Sequence, residues 1–296
     1  MKNIKLLLCV LVTFFTIAAH AQQNKLNALQ DSLIKISNLT LNAIGKEKKL
    51  AENARFVKTL IEALKLNNAY NYPFDSLKTV SVINSGDQSF RILSWYLPLD
   101  DGTYRFYGTI QMNTNGGALK LYPLIDQTEN IINANQITDN QKWFGARYYE
   151  IIPVTAPGKL PYYVLLGWKG NNASTTKKVI EILAFDKDKV VFGAPVFDGK
   201  LFKDTNRVIF EYNKQNAMML KSDKKAGMIV YDHLVPFEES MVGKFEYYGS
   251  DLSFDGFKII GGRLKHQENV DLKNEINGND ELYADPKKKL KPEKKF

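Results

Sequence analysis

Two stretches near the start of the chain repeat their apolar residues at helical spacing. Apolar residues recur every three or four positions over 26–36 and again over 50–64, which is typical of one face of an α-helix. Gly45 separates the two patterns, and Pro73 ends the second because proline breaks a helix interior. The pattern predicts a helical hairpin over residues 22–70. Stripes this short favour packing on each other or on the next domain over a coiled coil with a partner, which needs about three or four uninterrupted heptads.

After Pro73 the period of the apolar pattern falls to two, which predicts β-strands. The apolar runs are rich in valine, isoleucine, tyrosine and phenylalanine, and turn-forming residues separate them. The predicted strands cover residues 79–84, 90–97, 103–112, 118–124, 147–154, 162–168, 178–185, 190–196, 207–212, 217–221, 228–232, 244–248 and 256–260. The turn signals are Asp101-Gly102, Asn115-Gly116-Gly117, Gly170-Asn171-Asn172, Lys214-Gln215-Asn216 and Asp255-Gly256.

This spacing of short strands predicts a mainly β fold with antiparallel sheets. No helical pattern separates the strands, as it would in a parallel α/β fold. We expect an antiparallel sandwich or a barrel-like meander over residues 71–265. A small β-propeller is the alternative, although no block of sequence repeats at a fixed period. Adjacent aromatic residues such as Tyr162-Tyr163 place one ring on each face of a sheet, so a single core cannot cover them all.

The first 21 residues have the pattern of a secretory signal peptide. Lys2 and Lys5 precede an apolar run over 6–19, and Ala19-His20-Ala21 supplies the small residues that a signal peptidase accepts. A membrane anchor needs about 18 or more apolar residues, and this run is shorter. We therefore predict export and a mature chain that starts at Gln22, without a transmembrane segment.

Cysteine and charge narrow the chemistry further. Cys9 is the only cysteine and lies inside the predicted signal, so the mature chain has no disulfide, thiolate metal site or cysteine nucleophile. Of the formal net charge of +8, Lys2 and Lys5 contribute +2 and residues 286–296 contribute +5, which leaves +1 for the rest. A body this close to neutral predicts no nucleic-acid partner. The polar, Lys-rich segment 266–296 is predicted to be a disordered tail that can touch anionic surfaces.

Sequence motifs of common enzymes are missing from the chain. It contains no G-x-G-x-x-G, no G-x-S-x-G and no H-E-x-x-H motif. His233 ends an apolar strand, where a structural role is commoner than catalysis. A glycosidase pair of carboxylates needs no fixed spacing, and the nominal candidates are Asp100, Asp101, Glu211 and Asp251. Nothing in their surroundings distinguishes them from turn and surface acids.

A candidate calcium site lies at Asp251, Ser253 and Asp255. Their oxygen-bearing side chains alternate before Gly256, as in a calcium loop. Gly262 stands where such a loop supplies a bidentate glutamate, so an ordinary polar turn competes with this hypothesis. Calcium is the one cofactor that the sequence suggests.

Aromatic residues and neighbouring amides suggest a ligand-binding face. Exposed rings flanked by amides suit stacking on sugars, although strands are enriched in aromatic residues for packing reasons alone. The candidate ligand-binding residues are Trp95, Trp143, Trp168, Asn171 and Asn172.

Six segments carry a resemblance to a known family. They cover residues 72–78, 99–106, 165–172, 208–212, 228–234 and 248–257. In these segments the chain resembles a family of uncharacterised exported proteins of Gram-negative bacteria. The resemblance implies a location in the periplasm or at the outer surface, and it assigns no activity and no functional residue.

The first functional hypothesis is a non-enzymatic binding or assembly module of the cell envelope that recognises a glycan or a protein. The alternative is a hydrolase of envelope polysaccharide or peptide that uses paired carboxylates, and an inert structural protein is a third reading. A cleft with two acids and a raised carboxyl pKa favours the hydrolase. An aromatic or apolar face favours binding.

Overall fold

The structure is a computed structural model that describes residues 2–272, with side chains from residue 21 onward. Two helices open the chain, α1 (Lys2–Asn42) and α2 (Lys46–Leu64). They confirm the predicted helical hairpin, and α1 passes through the predicted cleavage site after Ala21 without a break. The Lys-rich tail over 286–296 lies outside the described residues.

Fifteen strands follow the helices within the described part of the chain, so the predicted mainly β fold is confirmed. The strands are β1 (Ser81–Asn84), β2 (Phe90–Pro98), β3 (Tyr104–Met112), β4 (Leu121–Ile125), β5 (Thr138–Asp139), β6 (Arg147–Val154), β7 (Tyr162–Gly170), β8 (Thr175–Asp186), β9 (Lys189–Phe192), β10 (Phe197–Asp198), β11 (Val208–Asn213), β12 (Leu220–Asp223), β13 (Met228–Pro236), β14 (Tyr248–Ile260) and β15 (Arg263–Gln267).

The strands form three sheets, none of which closes into a barrel. Sheet 1 has the order β1-β2-β3-β4. Sheet 2 has the order β5-β9-β8-β7-β6, and β11 also pairs with β8. Sheet 3 has the order β10-β15-β14-β13-β12, in which only the short β10–β15 pair is parallel.

The helical hairpin and the three sheets stack as four layers with an apolar core between each pair. One core joins both helices to sheet 1, a second joins sheet 1 to sheet 2, and a third joins sheet 2 to sheet 3. Sheet 2 is therefore buried on both faces. Tyr163 packs into the second core and Tyr162 against the third, which explains how both rings of an adjacent pair are covered.

Several local predictions differ from the structure, and three of the differences concern its last strands. Residues 244–248, predicted as a strand, contain a 3-10 turn at Phe245–Tyr247 before β14 begins. The predicted turn at Asp255-Gly256 is wrong, because both residues lie inside β14. Glycine serves close packing there, since a Cβ on Gly256 would lie 2.7 Å from the Ile229 carbonyl oxygen. β15 extends the sheet to Gln267, beyond the predicted boundary at residue 265.

Polar contacts attach the helical hairpin to sheet 1. Lys49 of α2 pairs with Asp100 at 2.7 Å, and the indole of Trp95 donates to Asn53 at 2.9 Å. Because these partners are more than forty positions apart, the contacts fix the layers and not merely local turns. Among the helices of the described chain, none is both long enough and apolar enough to span a membrane.

Candidate functional site

A cleft of about 510 Å³ lies where sheet 1 meets the end of β7 in sheet 2. Its walls come from the start of β3, the end of β4, the loop 126–130 and the turn after β7. This volume is in the range of small-ligand sites, which are usually concave and place a few polar groups on an apolar lining. The cleft is therefore the candidate functional site.

One wall of the cleft is aromatic and closely packed. Tyr104 lies on Gly170, where a Cβ would meet the tyrosine ring at 2.5 Å. The ring also contacts Trp168 with centroids 5.3 Å apart, and Tyr96 packs on Trp168 at 4.8 Å. Glycine at position 170 is thus required for the position of the Tyr104 ring. Tyr104 and Trp168 are both partly exposed.

Some of the polar side chains that line the cleft have hydrogen-bond partners within the protein, and others have none. Asp126 accepts hydrogen bonds from the backbone N–H of Phe106 at 2.9 Å and from the backbone and hydroxyl of Thr128. Within the described residues, the side chains of Arg105 and Glu129 form no hydrogen bond or ion pair. Asp126 therefore holds the cleft together, whereas Arg105 and Glu129 are free to meet a ligand.

Lys169 forms part of the cleft floor and is 2% exposed. Its Nζ donates to the hydroxyl of Thr128 at 2.8 Å and to the carbonyl oxygens of Phe144 and Gly145 at 2.5 and 2.9 Å. The rings of Phe106 and Phe144 lie 4.8 and 4.4 Å from the nitrogen. Burial lowers the pKa of Lys169 to about 7, while the charge of Asp126 opposes that shift.

A buried ion pair lies behind this floor. Arg207 Nε donates to Glu181 at 2.8 Å, and both side chains are fully buried. The guanidinium also donates to the carbonyl oxygen of Gln136 at 2.9 Å and lies 5.2 Å from the Phe144 ring. Desolvation raises the pKa of Glu181, and Arg207 acts against that shift. The ion pair is inaccessible to a ligand. Its contacts hold the segment from Ala134 to Phe144 in place.

The structure does not bring the predicted ligand-binding tryptophans together. Trp95 is 8% exposed in the first core, and Trp143 is fully buried, where its indole donates to Tyr148 at 2.9 Å. Trp168 alone is partly exposed, next to the cleft. Packing and hydrogen bonding account for the positions of Trp95 and Trp143, and neither ring is open to a ligand.

The two predicted amides have different surroundings. Asn171 borders the cleft, and its Nδ2 donates to Thr175 at 2.7 Å and Glu211 at 2.9 Å. Asn172 Oδ1 accepts from the backbone of Ser174 and Thr175, both at 2.8 Å. Asn172 thus closes the turn after β7. Asn171 keeps its Oδ1 without a partner in the described structure and can offer it to a ligand.

The predicted calcium ligands have partners within the protein. Asp251 Oδ1 accepts from the backbone and hydroxyl of Ser253, at 2.9 and 2.7 Å. Asp255 faces His233, with 2.7 Å between Oδ2 and Nδ1, and also accepts from the backbone of Asn269. Across the described chain, no group of three or more histidine, cysteine, aspartate and glutamate side chains is placed to hold a metal ion. The calcium hypothesis stays a prediction, and so does the structural role of His233, whose ring contacts Asp255.

The nominal hydrolase acids are not gathered in one cleft. Asp101 borders the cleft described here, and hydrogen bonds from Thr103 hold its pKa below the usual value. Asp100 accepts from Lys49 and the backbone of Gly45. Glu211 accepts from Asn171 and Thr175 and pairs with Lys177 at 3.1 Å. These contacts have evident structural purposes.

Sequence reasoning missed Lys169, Glu181 and Arg207. One signal was available for Glu181, because it interrupts the apolar run 179–183. A charged residue in such a strand must be buried with a partner. Lys169 had no such signal, since Thr128 and Phe144, which surround it, lie 41 and 25 positions away.

Comparison of the chain with protein-family models, with curated proteins and with solved structures found no match. The resemblance to exported proteins of Gram-negative bacteria therefore stays a prediction.

Proposed function

We propose that this chain is an exported, non-enzymatic binding module of the Gram-negative cell envelope and that its cleft holds a glycan. The cleft itself carries the proposal, because it combines an aromatic wall with polar groups that have no partner. A sugar ring can place its apolar face on Tyr104 while its hydroxyl groups bond to Arg105, Glu129 and Asn171. The predicted signal peptide supports a role outside the cytoplasm.

Three carboxyl groups in or behind the cleft are poorly suited to hydrolysis, which supports the binding proposal. A glycosidase needs one carboxylic acid that keeps its proton near neutral pH and a second carboxylate across the scissile bond. Asp101 is held in its charged form by Thr103, and the carboxyl oxygens of Asp126 are engaged by three hydrogen bonds from Phe106 and Thr128. Glu181, whose pKa burial raises, is sealed behind the floor. Neither Asp101 nor Glu181 therefore meets the requirement for the acid, and Asp126 is already bonded within the protein.

Replacing Tyr104 with alanine should weaken glycan binding about tenfold or more, because the aromatic wall is removed. Gly170→Ala should weaken it as well by displacing the Tyr104 ring. Binding of soluble envelope-polysaccharide fragments can be measured by titration calorimetry. The fluorescence of Trp168, the partly exposed tryptophan beside Tyr104, gives a second readout.

Gly86→Ala is the matched control, since its added Cβ would make only ordinary contacts of 3.5 Å or more with Pro153. We expect this variant to bind as the wild type does. Equal binding by the Tyr104 variant, or no binding of any fragment by the wild type, would contradict the proposal. Release of new reducing ends during incubation would support the hydrolase instead.

The predicted signal peptide leads to a separate prediction about export. When the full chain is produced in a Gram-negative host, intact-mass analysis of the periplasmic fraction should give a protein that begins at Gln22. Ala21→Arg should block cleavage, because a signal peptidase requires a small residue before the cut. A periplasmic wild-type protein that still carries Met1 would refute the predicted signal.

A further inference from the structure

A second cavity, of about 310 Å³, lies between the end of α2 and the hairpin that joins β3 to β4. It is at the opposite end of β3 from the cleft, and the seven residue steps from Tyr104 to Gln111 span about 24 Å. Among the described residues that line it, six carry side-chain amides and Lys65 is the only charged one. The amides belong to Asn67, Asn68, Asn71, Gln111, Asn113 and Asn115.

Gln111 presents an unused donor at this cavity. The residue is 3% exposed, and its Oε1 accepts from Arg91 Nε at 2.8 Å. That bond fixes which end of the amide faces Arg91. None of the hydrogen bonds among the described residues uses Gln111 Nε2. The atom is not among the sealed, unpartnered side-chain atoms of the described chain, so it is accessible from the cavity and a ligand acceptor there can bond to it.

Arg91 adds positive charge without a compensating anion. Its guanidinium is 1% exposed and donates to the carbonyl oxygens of Tyr72 and Ala69 at 2.7 and 2.8 Å. No ion pair in the described chain includes Arg91, and desolvation lowers its pKa to about 10. Buried charges are normally paired. The field at the Gln111 amide therefore favours a negatively charged acceptor.

The cavity wall is held in position before any ligand arrives. The two carbonyl oxygens bound by Arg91 belong to the loop that follows α2, and the guanidinium also lies 5.4 Å from the rings of Tyr70 and Phe74. The side chains of Asn67, Asn71 and Asn115 make no hydrogen bonds within the described residues. Each can both donate to and accept from a hydroxyl group.

We propose that this cavity binds an acidic saccharide, with a sugar carboxylate accepting from Gln111 Nε2 near Lys65 and the sugar hydroxyl groups bonding to the surrounding amides. The site lies apart from the cleft and does not depend on the function proposed for it. A carboxylate supplies both the missing acceptor and the missing negative charge, and charge-assisted hydrogen bonds are about twice as strong as neutral ones.

The test compares a hexuronic acid trisaccharide with its carboxyl-reduced, uncharged form. The wild type should bind the acidic form at least tenfold more tightly. Gln111→Glu should lose that binding by tenfold or more, because an oxygen replaces the donor and a negative charge faces the ligand. The same variant should keep or raise the unfolding midpoint, since its carboxylate can pair with Arg91. Lost binding therefore cannot be confused with unfolding.

Gln267→Glu, an exposed change of the same charge on sheet 3, is the matched control and should bind like the wild type. Lys65→Gln should weaken binding of the acidic form alone. Tyr104→Ala should leave it unchanged, which separates this site from the cleft. The proposal is overturned if the wild type binds neither trisaccharide, if it binds both equally, or if Gln111→Glu retains full affinity.

Discussion

Replacing Arg207 with methionine should lower the free energy of unfolding by about 3 to 5 kcal/mol, the usual effect of removing one partner of a buried ion pair. The change leaves Glu181 fully buried without its cation. It also removes the donors to the carbonyl oxygens of Ala134 and Gln136 and the contact with the Phe144 ring. Chemical denaturation followed by circular dichroism measures the loss.

A second variant separates the charge from the packing. Glu181→Leu combined with Arg207→Met removes both charges, and it should be more stable than Arg207→Met alone because no unpaired carboxylate remains. Arg55→Met is the control, since Arg55 pairs with Glu52 on an exposed helix surface and should contribute under about 1 kcal/mol. If Arg207→Met lowers the free energy of unfolding by less than about 1 kcal/mol, the ion pair is not needed to hold the segment from Ala134 to Phe144.

The elements of the fold could be predicted because their signals are local. The helices follow from apolar spacing around Gly45, and β6 spans the predicted range 147–154. The stacking of three sheets could not be predicted, because it depends on which strands pair across long separations. Adjacent aromatic residues indicated that both sheet faces needed cover. They did not indicate that two further sheets and a helical hairpin would pack against these faces.

The candidate sites were less predictable than the fold. Asn171 could be selected from a turn signal, but the cleft beside it also needs Asp126 and Tyr104, which only the folded chain brings near. Arg91 lies between Phe90 and Ile92, both fully buried, so a charge within an apolar strand was a usable signal for burial. That signal could not reveal that the partners of Arg91 are carbonyl oxygens and an amide rather than a carboxylate.

The stability of the protein should rise by about 1 to 2.5 kcal/mol between pH 7 and pH 9 because of Lys169. In the unfolded chain a lysine titrates near pH 10.4, whereas burial lowers the pKa of Lys169 to about 7. Over this range the unfolded state therefore binds more protons than the folded state, and the free energy of unfolding increases with pH. The oxygens around Nζ favour the charged form of Lys169. We therefore expect a smaller increase in the free energy of unfolding than a fully neutral Lys169 would give over these two pH units.

Lys169→Met isolates this contribution. Burial also lowers the pKa of Lys178, but the resulting smaller rise in stability with pH is the same in the wild type and the variant. The wild-type stability should rise more steeply with pH than that of the variant, as measured by urea denaturation at pH 7, 8 and 9. The pH must stay below about 9.5, because burial raises the pKa of Tyr162 and Tyr212 to about 12. Stability from these tyrosines is present below pH 10 and is lost as the pH rises toward 12. Parallel pH profiles for wild type and variant would mean that Lys169 keeps its proton throughout, held by Thr128 and the two carbonyl oxygens.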